Sequence, residues 1–214
     1  MKLRVNEIFQ SIQGEGIQIG APTIFLRLFG CDLRCAWCDS MHAVEGSDYQ
    51  NITLDDIIQE AESHDCKNIC ITGGEPLLQQ DVLVPLIDIL IQKKYNILLE
   101  TSGHIRPNEI FYNPNVLISM DCKCPGSTME KKTDFSILES LQEKDQIKFV
   151  INDKSDYEYA KQIITHRHFR ATIVFQPVYG TDISFLVDLA LKDNLNIKVL
   201  PQLHKLIWGD IRGV

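Results

Sequence analysis

The sequence predicts an α/β fold with a parallel sheet, in a single domain that covers residues 1–214. Apolar runs alternate with segments of helical periodicity, which is the pattern of strands joined by helical crossovers. The predicted strands cover residues 22–29, 68–72, 96–101, 116–120, 147–151, 172–176 and 197–200. The predicted helices cover residues 77–94, 155–165 and 183–192. Right-handed crossovers bring the carboxyl ends of such strands to one edge of the sheet.

The first four predicted strands all end in residues that can support chemistry. Gly30-Cys31 follows the first strand, and Gly73-Gly74-Glu75-Pro76 follows the second. Ser102-Gly103 follows the third strand, and Asp121-Cys122-Lys123 follows the fourth. Because these ends meet at one edge, we expect the four segments to form one shared site.

Composition and charge exclude several classes of function. The 214 residues carry a net charge of −8, which argues against nonspecific binding to nucleic acid. No apolar run approaches the roughly 20 residues needed to cross a bilayer, and the N-terminus lacks a secretory apolar stretch. We therefore expect a cytoplasmic protein without nucleic-acid or membrane partners. In that compartment its seven cysteines are better interpreted as ligands, catalytic thiols or core residues than as disulfides.

Three cysteines follow the first predicted strand with the spacing C-x3-C-x2-C: Cys31, Cys35 and Cys38. Three ligands for a four-iron cluster leave one iron open to a small molecule. Electron-transfer clusters use four cysteines, and structural zinc sites are closed by four ligands. Asp39 and His42 are the nearest candidates for a fourth ligand, so the spacing alone leaves zinc open.

This triplet resembles the signature of the radical S-adenosylmethionine superfamily. The resemblance implies a [4Fe–4S] cluster whose open iron is chelated by the methionyl amino and carboxylate groups of S-adenosylmethionine. Electron transfer then yields a 5′-deoxyadenosyl radical, so the cofactor carries the difficult chemistry. The run Ile71-Thr72-Gly73-Gly74-Glu75-Pro76 resembles the superfamily's glycine-rich step, where backbone groups bind the methionyl amino group.

Longer stretches resemble the 7-carboxy-7-deazaguanine synthase family. The similar segments are residues 7–16, 25–28, 37–40, 100–103 and 204–209. The resemblance implies a partial parallel (β/α) barrel of radical S-adenosylmethionine type with a trimmed core of six strands and three helices. It implies conversion of 6-carboxy-5,6,7,8-tetrahydropterin to 7-carboxy-7-deazaguanine with loss of ammonia, in queuosine-type deazapurine biosynthesis. It also implies Mg²⁺, a homodimer, and an electron donor such as flavodoxin or ferredoxin.

The same resemblance implies a set of residues that bind the pterin substrate. These are Ile12, Gln13, Gly14, Glu15, Arg27, Thr72, His204 and, through its terminal carboxylate, Val214. The amide of Gln13 and the carboxylate of Glu15 suit the pyrimidine edge of a pterin, and the guanidinium of Arg27 suits its carboxylate. Without the resemblance a structural role is favoured: a polar turn for Gln13 and Glu15, a structural ion pair for Arg27, and a core position for His204.

The implied cofactor residues are Gly74, Ser102, Ser119, Asp121 and Lys123. Ser40 is the implied Mg²⁺ ligand, at a position where the family usually has threonine. Serine keeps the hydroxyl oxygen that Mg²⁺ accepts but lacks the methyl group that restrains the rotamer. Asp39 is interpreted as a cap of the following turn.

Two alternatives remain for the protein and one for its other cysteines. A glycyl-radical-enzyme activase would share the triplet and the glycine-rich step, but it gives no reason for Gln13, Glu15 and Arg27. A noncatalytic iron–sulfur or zinc-binding module requires a fourth ligand. The remaining cysteines can pack in the core as free thiols, the favoured interpretation, or bind a second cluster or zinc ion. These cysteines are Cys66, Cys70, Cys122 and Cys124.

Overall fold

The computed structural model describes residues 1–214, which form one sheet of nine strands flanked by helices. The strands are β1 (Lys2–Ile12), β2 (Pro22–Leu28), β3 (Gln50–Thr53), β4 (Asn68–Gly73), β5 (Asn96–Thr101), β6 (Val116–Asp121), β7 (Gln146–Ile151), β8 (Thr172–Pro177) and β9 (Lys198–Val199). The helices are α1 (Met41–Val44), α2 (Leu54–Ser63), α3 (Gln80–Gln92), α4 (Phe135–Leu138), α5 (Lys154–His166), α6 (Ile183–Lys192) and α7 (Leu203–Trp208). The longest helices have 13 residues, too few to span a bilayer.

The strand order is β3-β1-β2-β4-β5-β6-β7-β8-β9. Every pair from β2 to β9 is parallel, which confirms the predicted α/β class. The prediction of an entirely parallel sheet is wrong at one edge, where β1 pairs antiparallel with both β2 and β3. Only the first four residues of β1 alternate between exposed and buried, and the rest are mostly half-buried, so its sequence lacks the period of a typical strand.

The curved sheet corresponds to a trimmed partial barrel. Six longer parallel strands, β2 and β4 to β8, form its wall. Three of their connections contain a helix of ten or more residues, namely α2, α3 and α5. The other two connections contain no helix longer than four residues. One holds a 3-10 turn (Glu109–Tyr112), and the other holds two 3-10 turns (Pro125–Ser127 and Glu130–Lys132) and the four-residue α4. This confirms the core of six strands and three helices.

The predicted helices are present with small changes at their boundaries. The helix predicted at 77–94 begins as a 3-10 turn (Pro76–Gln79), and α3 starts only at Gln80. Asp153 begins α5 by accepting hydrogen bonds from the backbone N–H groups of Ser155 and Asp156, and Asp182 caps α6 in the same way.

The inner face of the sheet carries both a small apolar layer and the polar residues above it. Phe25, Cys70 and Leu98 form a buried cluster inside the barrel, separate from the main core of 37 residues beneath the helices. Because side chains alternate along a strand, the residues two positions later face the same interior. In β2 and β4 these are Arg27 and Thr72, which are register partners.

Candidate active site

A cavity of about 510 Å³ lies at the carboxyl ends of the parallel strands. All but one of the predicted site residues line it: Ile12, Gln13, Gly14, Glu15, Arg27, Cys31, Cys35, Cys38, Ser40, Thr72, Gly74, Ser102, Asp121, Lys123, His204 and Val214. Ser119 is the exception. It is buried two residues before Asp121 and accepts a hydrogen bond from Gln146 at 2.7 Å. The structure therefore gives Ser119 a packing position that does not reach the cavity.

The cluster loop, residues 31–40, is held in place by contacts outside the thiols. The N–H of Ala36 donates to the carbonyl of Ser127 at 3.1 Å, and the ring of Trp37 packs on Gly126. The carboxylate of Asp32 lies 2.9 Å from Nε2 of His104, which follows β5. The loop is thus anchored to the ends of two other strands.

The three thiols of the cluster loop fit a multi-iron cluster. Cys31, Cys35 and Cys38 are half-buried, free and all in the cavity wall. Three cysteine ligands leave one iron of a four-iron cluster open, whereas a structural zinc site is closed by a fourth ligand. Burial raises the pKa of Cys31 to about 11 and raises that of Cys35, so binding a metal group must displace protons.

The other four cysteines are buried free thiols outside the cavity wall, as the sequence favours. Cys66, Cys122 and Cys124 belong to the main core, and Cys70 belongs to the inner apolar layer. Burial raises the pKa of Cys122 to about 12 and raises those of Cys70 and Cys124 well above the usual value. The thiols of Cys70, Cys122 and Cys124 therefore remain protonated.

The glycine-rich step is shaped by the close approach of the chain after β2. A Cβ atom on Gly74 would lie 2.2 Å from the carbonyl oxygen of Gly30. Glu75 fastens this step to the end of β5: its carboxylate accepts hydrogen bonds from the hydroxyls of Thr101 and Ser102 and from the N–H of Ser102. Ser102 is also 2.8 Å from Nδ1 of His104. One network therefore joins the glycine-rich step to the cluster loop.

Arg27 is paired with Glu7 on the neighbouring strand. A bulge in β1 between Val5 and Glu7 sets Glu7 opposite Arg27, and its Oε1 accepts from Nε at 2.7 Å. The two Nη atoms of Arg27 have no hydrogen-bond partner in the protein. Arg27 therefore combines a structural ion pair with a free face for an anionic ligand.

Glu100 occupies the inner face of β5 between two predicted substrate residues. Its carboxylate accepts from Nε2 of Gln13 at 3.3 Å and from the hydroxyl of Thr72 at 2.8 Å. Burial raises the pKa of Glu100 above its usual value, although the charge of Lys148 opposes this. Gln13 also accepts from the N–H of Glu15, which fixes the turn after β1.

Glu15 is part of a buried charged network. One carboxylate oxygen pairs with Nζ of Lys148, and the other accepts from Gln202 at 2.7 Å. Burial alone would raise the pKa of Glu15, but Lys148 and Gln202 overcome it and lower the pKa to about 2. Lys148 also lies 3.4 Å from Asp121, which pairs with Lys123 at 2.8 Å.

The C-terminal segment packs on the turn after β1. The N–H of Leu203 donates to the carbonyl of Gly14 at 2.8 Å, and the His204 ring lies so close that a Cβ atom on Gly14 would meet it at 2.0 Å. Burial lowers the pKa of His204, which favours its neutral form. Arg212 pairs with Asp48 at 3.1 Å. These contacts hold residues 202–214 beside the cavity.

Ser40 and Asp39 form the polar end of the cluster loop. The hydroxyl of Ser40 donates to Asp39 at 3.0 Å. The interpretation of Asp39 as a cap is wrong, because the N-cap of α1 is Ser40 and no side chain caps it. Ligand atoms of Glu15, Asp39 and His204 lie within 4.8 Å of one another, although Mg²⁺ prefers oxygen to the imidazole nitrogen in this group.

Comparisons with known proteins agree with this geometry. Residues 26–112 match the Radical SAM superfamily. The 7-carboxy-7-deazaguanine synthases of Thermoplasma acidophilum and Koribacter versatilis are 35% and 36% identical to this chain, over 98% and 99% of its length and 99% and 100% of theirs. This chain belongs to the 7-carboxy-7-deazaguanine synthase family. The crystal structure of QueE from Escherichia coli matches it with a TM-score of 0.79 and 25% identity over 95% of each chain.

Membership of this family identifies the protein as a radical S-adenosylmethionine enzyme, a class that uses a [4Fe–4S] cluster and S-adenosylmethionine. The family's name refers to a small-molecule product, which agrees with a cavity of about 510 Å³ better than with an activase that must reach a partner protein.

Sequence reasoning missed several polar residues of the cavity. Glu100 is the only charge in β5, and Lys148 is the only charge in β7. A lone charge in an otherwise apolar strand is the signal that would have found both. Gln176 in β8 is also buried in the cavity wall, and its Oε1 has no hydrogen-bond partner, so it offers an acceptor to a ligand.

Proposed function

We propose that this protein converts 6-carboxy-5,6,7,8-tetrahydropterin to 7-carboxy-7-deazaguanine with loss of ammonia, as a step of queuosine-type deazapurine biosynthesis. The observation that carries the proposal is a single cavity that contains three kinds of group. These are three free thiols, the unpaired Nη atoms of Arg27, and the buried carboxylates of Glu15 and Glu100, which can accept hydrogen bonds from a pterin. Similarity to synthases of this name over nearly the full length of both chains supports the same reaction.

The cluster loop and the strand ends would hold the cofactors. Cys31, Cys35 and Cys38 would ligate the [4Fe–4S] cluster, and the backbone at Gly74 would meet the methionyl end of S-adenosylmethionine. Ser102, Asp121 and Lys123 would hold its ribose and carboxylate. When bound, these groups supply a 5′-deoxyadenosyl radical, and the protein supplies position and shielding from water.

The inner face of the barrel would orient the pterin. The Nη atoms of Arg27 would bind the substrate carboxylate in a bidentate pair, with Glu7 fixing the guanidinium plane. The carboxylates of Glu15 and Glu100 would accept from the guanidine-like edge, with Gln13 and Thr72 holding Glu100. The remaining substrate contacts proposed are Ile12, Gly14, His204 and Val214.

We also propose Mg²⁺ at Ser40, beside the carboxylate of Asp39. The two oxygens suit a hard cation that keeps waters and takes further oxygen from substrate. An electron donor such as flavodoxin or ferredoxin and a homodimeric state complete the proposal.

The decisive experiment is anaerobic turnover of the reconstituted holoenzyme with S-adenosylmethionine, reductant, Mg²⁺ and the carboxy-tetrahydropterin. Product is followed by mass, which should be lower than the substrate mass by one ammonia, because the hydrogen atom that the radical abstracts is returned to the product. The matched control is Cys35→Ala, which should give no product. Cleavage of S-adenosylmethionine without any deazapurine would retain the radical chemistry and reject the proposed substrate.

A further inference from the structure

Lys148 is a buried charge to which the proposed reaction gives no role. Its side chain is only 8% exposed and lies in the cavity wall. Burial would lower its pKa, but Asp121, Glu15 and Glu100 outweigh this and raise the pKa well above the usual value. The ammonium group therefore stays charged inside the site.

Lys148 is the direct link between two groups that serve different ligands in the proposed function. Its Nζ pairs with Glu15, a proposed pterin ligand, and lies 3.4 Å from Asp121, a proposed ligand of S-adenosylmethionine. The second oxygen of Glu15 is held by Gln202, and the second oxygen of Asp121 is held by Lys123. Lys148 thus contacts both carboxylates, whereas Gln202 contacts only Glu15 and Lys123 contacts only Asp121.

The two contacts of Lys148 differ in rigidity. Asp121 and Lys148 are register partners in the parallel pair of β6 and β7, so the sheet fixes their separation. Glu15 lies outside the sheet in the turn after β1, and its carboxylate is held by side-chain contacts to Lys148 and Gln202. A ligand that orders either carboxylate will also fix the ammonium group between them.

We propose that Lys148 is a positioning residue that couples the binding of S-adenosylmethionine to the binding of the pterin. This inference rests on the proposed function. Whichever ligand binds first fixes Lys148, and the second ligand then meets a carboxylate that is already oriented. Linkage makes the effect reciprocal, and couplings of this kind change affinity by about fivefold or more.

The test measures the Kd of S-adenosylmethionine on the anaerobic holoenzyme, without reductant so that no turnover occurs. Titration calorimetry is done without pterin and with saturating 6-carboxy-5,6,7,8-tetrahydropterin. The wild-type Kd should fall about fivefold or more when the pterin is present. In Lys148→Met the ratio of the two Kd values should be close to one, and Lys148→Arg should restore part of it.

The matched control is Lys161→Met, which removes an ion pair to Asp193 outside the cavity and should leave the ratio at the wild-type value. If Lys148→Met does not fold, Lys148→Gln, a donor without charge, carries the same test. A Lys148 variant with the wild-type ratio would overturn the inference, as would a wild-type ratio of one in an enzyme that makes product. An enzyme that neither binds the pterin nor forms product rejects the proposed function as well.

Discussion

The cluster loop and the inner charged face (Glu7, Glu15, Arg27, Glu100 and Lys148) are built on opposite principles. The loop is one short stretch of chain whose three thiols make no ion pair and no disulfide. The inner charged face collects residues from four strands and a turn, and every member is already paired or hydrogen bonded within the protein. The cluster loop leaves its thiols free to bind a metal group, whereas the charges of the inner charged face are paired within the protein.

The difference follows from the free-energy cost of burying each kind of side chain without a bound ligand. A neutral thiol can be half-buried without a partner at little cost, and burial keeps Cys31 and Cys35 protonated. A carboxylate or guanidinium cannot, because an unpaired buried charge costs several kcal/mol. The charged groups therefore keep their internal partners, and a substrate would add contacts on the sides that remain open, such as the Nη atoms of Arg27.

The largest effect is expected from the cluster loop. Any of Cys31→Ala, Cys35→Ala or Cys38→Ala should abolish iron binding and cleavage of S-adenosylmethionine, because no other thiol lines the cavity. Iron content and the cluster absorption of the anaerobically reconstituted protein measure this. The matched controls are Cys66→Ala and Cys70→Ala, which should retain both properties. Zinc bound in place of iron under these conditions would contradict the assignment.

A smaller loss is expected when the inner face loses its free guanidinium. Arg27→Ala should lower kcat/KM for the pterin about 100-fold, as expected for roughly 3 kcal/mol of charged hydrogen bonding. Binding of S-adenosylmethionine should change little, because other residues are proposed to hold it. Glu7→Gln should have a weaker effect of the same kind, since it removes the negative charge beside Nε but keeps an oxygen that can accept from it. Equal losses of both affinities in folded Arg27→Ala would show that Arg27 supports the scaffold.

The sequence predicted the cluster loop more completely than the inner charged face, because the loop is local in sequence and the face is not. The cysteine spacing and the glycine-rich step are local, so a motif predicted them together with the strands that precede them. The charged face depends on pairing across the sheet. The bulge that places Glu7 opposite Arg27 lies in β1. This strand was not predicted, because exposed and buried residues alternate over only part of it. At Ser119 a local motif was not enough. Ser119 and Asp121 lie two positions apart on the same face of β6, and the sequence does not show which of them reaches the cavity.

The third expected effect is on the free energy of unfolding, which tests the inner charged face without a measurement of catalysis. The pKa of Glu15 is lowered from 4.5 to about 2. A lowered carboxyl pKa stabilises the fold above the unfolded value, and this stabilisation is lost as pH falls from about 5 toward 2. Its size is about 3 kcal/mol at most. The urea midpoint of Glu15→Gln should therefore lie below that of wild type at pH 6, and the difference should shrink toward pH 3.

The matched control for this effect is Glu62→Gln. Glu62 also has a lowered pKa, owing to its hydrogen bond with Lys93, but this pair lies on the exposed surface. Exposed pairs contribute little to stability, so its urea midpoint should follow wild type at both pH values. If Glu15→Gln behaves like Glu62→Gln, the pairing with Lys148 does not stabilise the fold.

The smallest effect is expected at Ser40, where the cluster loop meets the charged groups of the cavity. Its hydroxyl donates to Asp39, so the oxygen keeps lone pairs for a cation. Ser40→Ala should raise the Mg²⁺ concentration needed for half-maximal turnover several-fold, whereas Ser40→Thr should preserve or lower it, because the added methyl restricts the rotamer. The cluster absorption of both variants should equal that of wild type, since Ser40 follows the last cysteine and is not a cluster ligand. An unchanged Mg²⁺ titration in Ser40→Ala would remove the cation from this residue and leave Asp39 as the nearest oxygen donor to test.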